Sequence, residues 1–206
     1  MKKGKFIVVE GGDGAGKSSQ LKRLKEELGE AVVITREPGG SQYAEEIRNL
    51  ILKSPHAKQA DAKTLFALFW AARADHLKNT VLPALERGIT IISDRFDSST
   101  FAYQIYGQEA KELEKFFWTI RDFYLGEIRP DLYIYLDVDI ETGLRRKAGQ
   151  GEDENNHFDA KKLDFHKRMR EGFMQFLTRV PHVIIDANQS VESVRKNLKK
   201  ALSLSL

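Results

Sequence analysis

The run Gly11-Gly12-Asp13-Gly14-Ala15-Gly16-Lys17-Ser18 combines backbone freedom with a cation and a hydroxyl. A glycine, four residues, then Gly-Lys-Ser is the pattern of a loop that wraps a phosphate, a P-loop. Several backbone N–H groups must turn inward together, which glycine allows without a Cβ clash. A helix starting at Lys17 adds unpaired N–H groups and the positive end of its dipole. Lys17 can then reach the β- and γ-phosphates of a nucleoside triphosphate, and the Ser18 hydroxyl can bind Mg²⁺. Ser19 completes the stretch assigned to the triphosphate.

A phosphate loop alone says nothing about what receives the phosphate. Arg36 and Arg95 supply that hint, because each follows an apolar run by one or two residues. A guanidinium offers a planar fork for two phosphate oxygens, which an ammonium cannot match. Two such forks facing a P-loop suggest a second phosphate beside the first, the arrangement for phosphoryl transfer between nucleotides. Taken singly, each could instead pair with an adjacent acid, Arg36 with Glu37 or Arg95 with Asp94.

The elements that must position these groups are readable as apolar runs. Strands are expected at 6–10, 31–35, 89–93, 132–137 and 183–186, four of them rich in β-branched residues and apolar on both faces. Helical patterns fall between them, at 17–28, 43–52, 62–86, 109–125, 140–147, 160–177 and 191–202. Such alternation predicts an α/β fold: a five-stranded parallel sheet flanked by helices on both faces, with ligands bound beyond the carboxyl ends of the strands. The P-loop, Arg36–Gly40, Asp94-Arg95, Asp137–Asp139 and Asp186–Asn188 should therefore converge on one crevice. The 62–86 helix is apolar on more than one face, so it is buried against two neighbours or against one neighbour and a partner chain, and a homodimer packing on it is the expectation taken. The segment 147–157 holds Gly149-Gln150-Gly151 and an acidic, Asn-rich stretch that cannot build a core, so it reads as a mobile loop.

Composition sets outer bounds. The 206 residues suit one domain, and 41% hydrophobic with 31% charged residues is ordinary for a soluble globule. A net charge of +3, with basic residues scattered among acids, gives no reason to expect nucleic acid as a partner. The absence of cysteine excludes disulfides and thiolate metal sites, and no apolar run approaches the roughly 18 residues of a membrane span. The expected location is the cytoplasm. His56, His76, His166 and His182 show no ligand spacing and read as surface or core packing.

Taken together, the motifs resemble those of the thymidylate kinases, P-loop nucleoside-monophosphate kinases. The resemblance rests on Asp13–Ser18, Thr35–Gly40, and Asp94-Arg95-Phe96 with Ser99 and Ala102-Tyr103-Gln104. It extends through Pro130–Leu132, Tyr135–Val138, Phe165-His166, Arg170–Gly172 and Ile185–Ala187, almost end to end. It implies ATP as donor, dTMP as acceptor, Mg²⁺ as cofactor and a lid at about 145–157. Phe69 would stack on thymine and Arg73, four residues on, would bond its carbonyl. Asp13 would hold the 3′-hydroxyl and Tyr103 would exclude a ribose 2′-hydroxyl. Thr100 and Gln104 would face the base or its phosphate, with Glu37 and Ser99 in the same acceptor site. Arg36 and Arg95 would grip the acceptor phosphate, and Asp94 would assist the metal, directly or through water. Phe69 could equally be core, and Tyr103 and Gln104 ordinary helix-surface residues.

Two departures stand out. The family members that lack a basic residue inside the P-loop carry a catalytic arginine in the lid, and here the loop position is Ala15. The lid's basic residues, Arg145, Arg146 and Lys147, stand at its helical start, with Gly149-Gln150-Gly151 and His157 where arginines are common. Either Arg146 or Arg145 swings in, or the lid is electrostatically weaker than in those members; Arg146 is the expected catalytic arginine, beside Lys17, Arg95 and Asp94. Other readings are a kinase for another nucleotide or deoxynucleoside, and a relative that binds without turnover. A GTP switch lacks support, since no Asn-Lys-x-Asp guanine motif is present.

Overall fold

The computed structural model describes residues 4–149, 158 and 162–203. Five parallel strands form one sheet: β1 (Phe6–Gly11), β2 (Val32–Arg36), β3 (Thr90–Asp94), β4 (Leu132–Asp137) and β5 (His182–Asp186). Their order is β2-β3-β1-β4-β5, so the chain reverses direction across the sheet at β1. Register aligns the carboxyl ends, with Arg36 opposite Asp94, Val9 opposite Asp94, Gly11 opposite Leu136 and Asp137 opposite Asp186. The five-stranded parallel sheet flanked by helices is the α/β fold expected from the strand and helix alternation, and with the P-loop after β1 it is a P-loop NTPase fold.

Period-two alternation in β1 explains the two layers of core. Ile7 and Val9 face α1 (Lys17–Leu28) and α9 (Val191–Ser203), where Leu21, Leu24, Val194 and Leu198 are buried. Phe6 and Val8 face the opposite layer, which is the more aromatic one. That layer holds α2 (Gln42–Lys53), α3 (Ala62–His76), α6 (Glu114–Leu125) and α8 (Leu163–Leu177). Two shorter helices, α4 (Leu82–Glu86) and α5 (Asp97–Thr100), precede and follow β3, and α7 (Ile140–Ala148) follows β4.

Two stretches are wound more loosely than an α-helix. The predicted 62–86 helix is continuous but passes through a π-helical turn at Leu77–Val81. Its breadth of apolar surface is accounted for inside the chain: Trp70 stacks on Tyr124 of α6 at 5.6 Å, and Phe66 lies 6.4 Å from Phe117. The reason given for a partner chain on this helix therefore falls away. The second stretch, Phe101–Gly107, is π-helical and wholly buried, and it packs against α8. The predicted 109–125 helix begins as an α-helix only at Glu114, after a short 3₁₀ turn at Lys111–Leu113. Of the expected lid, 145–149 close α7, and 150–157 lie outside the described residues.

Candidate active site

The P-loop is closed by its own glycines and by a neighbour. Gly14 has φ +70°, and a Cβ there would stand 2.0 Å from the Gly143 carbonyl oxygen of α7. Gly143 is equally confined, since its Cβ would lie 2.4 Å from the Asp13 carbonyl oxygen. Gly16, left-handed at φ +87°, hands the chain into α1. Lys17 is buried, and its ammonium donates to the carbonyls of Gly11 at 2.8 Å and Gly12 at 3.1 Å. Burial, then the nearby Arg95 charge, push its pKa down to about 8, with Asp94, Asp13 and Glu10 acting the other way. Ser19 donates to the Gly16 carbonyl, while Ser18 is exposed at the mouth, 3.5 Å from Asp94 Oδ2.

Arg95 stands directly across the loop from Lys17. Its backbone is left-handed, φ 68°, an uncommon conformation for a residue with a side chain. The conformation is held from both sides. Its N–H donates to the Val9 carbonyl, and the next N–H, of Phe96, donates to the buried Glu10 carboxylate at 3.0 Å. Glu10 also accepts from Ser98 at 2.7 Å and Ser99 at 2.9 Å, and lies 3.6 Å from Arg95 Nη1. Arg95 Nη2 donates to Asp13 Oδ1 at 3.2 Å, and Nη1 donates to the Gly11 carbonyl. Burial works against its charge, but Tyr103 and the carboxylates of Asp13, Glu10 and Asp94 outweigh burial and raise its pKa. Arg95 is thus a fixed cation in a preset direction. It pairs with Asp13 and Glu10, and not with its neighbour Asp94.

Arg36 is exposed and paired bidentately with Glu45, at 3.0 and 3.3 Å, and not with the adjacent Glu37. A third arginine joins this edge that the sequence reading missed. Arg48 of α2 donates to the Pro38 carbonyl at 2.6 Å, and burial, then Arg36, lower its pKa. Three guanidinia and Lys17 along one rim form an anion cradle. Glu37 faces inward and bonds Arg73. Arg73 is buried, donates to Glu37 and Thr100, and leaves Nη1 without a partner among the described residues. Phe69 is partly buried on the same helix. Tyr103 and Gln104 are buried, so the helix-surface alternative does not hold. Tyr103 packs edge-on against Phe158 at 5.4 Å, and Gln104 Oε1 is buried without a partner among the described residues. A second missed residue is His166, buried, with Nδ1 4.0 Å from Asp13 Oδ2.

The structure does not bring Arg146 to this cluster. Its Nη1 donates to the Ala187 carbonyl, 2.9 Å away, just past β5. That is two strands from β1, on the side opposite Arg36 and Arg95. A metal site fits what is present. The Ser18 hydroxyl and the Asp94 carboxylate are hard oxygen donors side by side, and Asp94 Oδ1 is buried without a partner among the described residues. Mg²⁺ is commonly held by one or two such groups plus phosphate oxygens, and no cluster of three acidic or histidine ligands is found among the described residues.

Comparison with known proteins agrees with this geometry. A family model described as "Thymidylate kinase" matches residues 9–198. A thymidylate kinase of Bradyrhizobium sp. (strain ORS 278) is 41% identical over 198 residues, covering 93% of this chain and 86% of that one. The thymidylate kinase of Clostridium novyi (strain NT) is 39% identical over 204 residues, covering 97% and 98%. The crystal structure of thymidylate kinase from Ehrlichia chaffeensis superposes with a TM-score of 0.74 at 29% identity, covering 98% of this chain and 99% of that one. The P-loop, the arginine-rimmed crevice and these likenesses together establish that the chain belongs to the thymidylate kinase family.

Proposed function

We propose that this protein, as one kinase domain, transfers the γ-phosphoryl group of ATP to dTMP. The observation that carries this reading is the pairing of two anion sites across β1, Lys17 in the P-loop and Arg95 fixed opposite it. The P-loop and Ser19 take the ATP phosphates. Arg36, Arg48 and Arg95 take the acceptor phosphate, Arg36 after releasing Glu45. Arg73 offers Nη1 to a thymine carbonyl beneath Phe69, with Gln104, Thr100 and Ser99 around the base and sugar. Asp13 presents Oδ2, which accepts no hydrogen bond among the described residues, to the 3′-hydroxyl, and the Tyr103 ring is the group that would exclude a 2′-hydroxyl.

No strong base is required, because the acceptor phosphate is largely dianionic near neutral pH. Its oxygen attacks in line, so the protein's work is alignment and charge neutralisation. Lys17 and Arg95 meet the charge that develops on the transferred group from two directions. Mg²⁺, held by Ser18 and Asp94, would supply further neutralisation of the phosphates. Arg146, on the far side of the loop, is placed to serve the donor nucleotide unless it leaves Ala187.

The reading is tested by coupled ADP release with ATP, Mg²⁺ and a panel of nucleoside monophosphates. Turnover fastest with dTMP supports it; preference for another acceptor, or ATP hydrolysis indifferent to any acceptor, contradicts it. We further propose that the chain works in the cytoplasm as a homodimer. The support for a partner chain is the exposed apolar side chains of Tyr43 and Leu50 on α2 and of Phe116 and Phe123 on α6. None of the helices among the described residues is long and apolar enough to cross a membrane.

A further inference from the structure

Behind the base-reading position, five side chains, four of them buried and Thr35 half-buried, form one hydrogen-bonded line. Thr35 Oγ1 lies 2.8 Å from His76 Nε2, and His76 Nδ1 lies 2.9 Å from Glu37 Oε1. Glu37 Oε2 accepts from Arg73 Nε at 2.9 Å, and Arg73 Nη2 donates to Thr100 Oγ1 at 3.1 Å. We propose that His76 is a positioning residue for acceptor selection: through Glu37 it sets the rotation of the Arg73 guanidinium and so the direction of Nη1, which has no partner among the described residues. The proposal rests on the reading of Arg73 as the group that meets the acceptor base.

The chemistry of each member determines its part. A carboxylate only accepts, so His76 Nδ1 carries the hydrogen toward Glu37. Nε2 and the Thr35 hydroxyl share the second hydrogen bond, either atom being able to donate. Within the line Glu37 and Arg73 form a buried ion pair, each the other's counter-charge. Trp70 and Phe96 lie 4.5 and 5.1 Å from the Arg73 guanidinium carbon and fix the plane of the group. They leave rotation within that plane to Glu37 and Thr100. The carboxylate of Glu37 is itself on a soft terminal torsion, and the bond from His76 to Oε1 is what holds it.

The surrounding backbone is shaped to admit the imidazole. His76 follows Arg73 by three residues on α3, so both reach the loop after β2. A Cβ on Gly40 would stand 2.6 Å from His76 Nε2 and 2.4 Å from Thr35 Oγ1. Ser41 Oγ donates to Asp75 Oδ2 at 2.5 Å, and Thr80 Oγ1 donates to the Gly40 carbonyl at 2.7 Å. The loop carrying Glu37 and the helix carrying Arg73 and His76 are thereby tied together. A fixed N–H donor favours a base with a carbonyl over one with an amino group at the same place, the difference between thymine and cytosine.

The test compares His76→Asn, which can still donate from about the Nδ1 position, with His76→Gln and His76→Leu, which cannot. KM and kcat for dTMP, KM for ATP, and the dTMP:dCMP ratio of kcat/KM are measured beside circular dichroism of each variant. Expected for Gln and Leu are a dTMP KM raised about tenfold, a lower dTMP:dCMP ratio, and an ATP KM and kcat within about threefold. The Asn variant should stay within about threefold in every parameter. If Leu fails to fold, the contrast between Asn and Gln decides. Gln and Leu variants that keep the dTMP KM and the selectivity ratio overturn the proposal, as does an Asn variant impaired as much as Leu. Arg73→Lys separates the two levels: if it moves KM and selectivity while the His76 variants do not, only the role of His76 fails. If Arg73→Lys moves neither, the reading of Arg73 fails and the proposal goes with it.

Discussion

At Lys17 the electrostatics of the cradle become measurable. Its pKa of about 8 means the ammonium is fully charged below that pH and is lost as pH rises through it. For the free enzyme, kcat/KM for ATP should therefore show an alkaline limb falling about tenfold per unit above pH 8. Once the triphosphate is bound its negative charge favours the ammonium, so the limb of kcat should lie at higher pH. A kcat/KM profile for ATP flat to beyond pH 9.5, roughly, contradicts this placement of the cation. Residues of this kind were legible from their own neighbourhood in the chain, because the P-loop is a contiguous pattern. Arg48, His166 and His76 were not. Their partners lie in other elements, Arg48 with Pro38, His166 near Asp13 and His76 with Glu37 and Thr35, and no local spacing announces such pairs. Arg95 was seen as a strand-end cation, but its direction depends on Glu10, which reads in sequence as one more strand residue.

Among the elements, the five strands were readable because burial on both faces leaves runs of β-branched residues, and observed ends differ from the expected ones by one residue or none. The helix after β3 was less so. Asp97 to Gly107 carries Ser, Thr and aromatic residues with no 3.6-residue stripe, since its π-helical portion is buried all round. The same segment carries Thr100, Tyr103 and Gln104, which the proposed function sets around the acceptor, so the least regular helix would also be a site-bearing one. α7 poses the sharper question. With Arg146 bonded to Ala187, an Arg146→Ala variant should raise the ATP KM while kcat stays within about threefold, under 1 kcal/mol of transition-state stabilisation. Steady-state kinetics check it. A kcat loss beyond about tenfold would show instead that this arginine leaves Ala187 and acts on the transferred group.

For the whole molecule, the sheet order sets β2 and β3 on one side of the P-loop strand and β4 and β5 on the other, and the proposed function assigns the acceptor to the first side. Association is argued at this scale too. Phe123 is 79% exposed on α6, next to the aromatic layer beneath it. The chain should sediment as a dimer at micromolar concentration, and Phe123→Asp should shift it toward monomer; a parent chain that sediments as a monomer refutes the dimer. The central claim is that two nucleotides meet across β1 and exchange one phosphoryl group. Its most direct measurement follows ATP labelled in the γ-phosphate, with Mg²⁺ and dTMP, and separates the products. The account predicts label in dTDP, one dTDP formed for each ADP. Label released as inorganic phosphate, or carried preferentially by a different monophosphate supplied in competition, would contradict it.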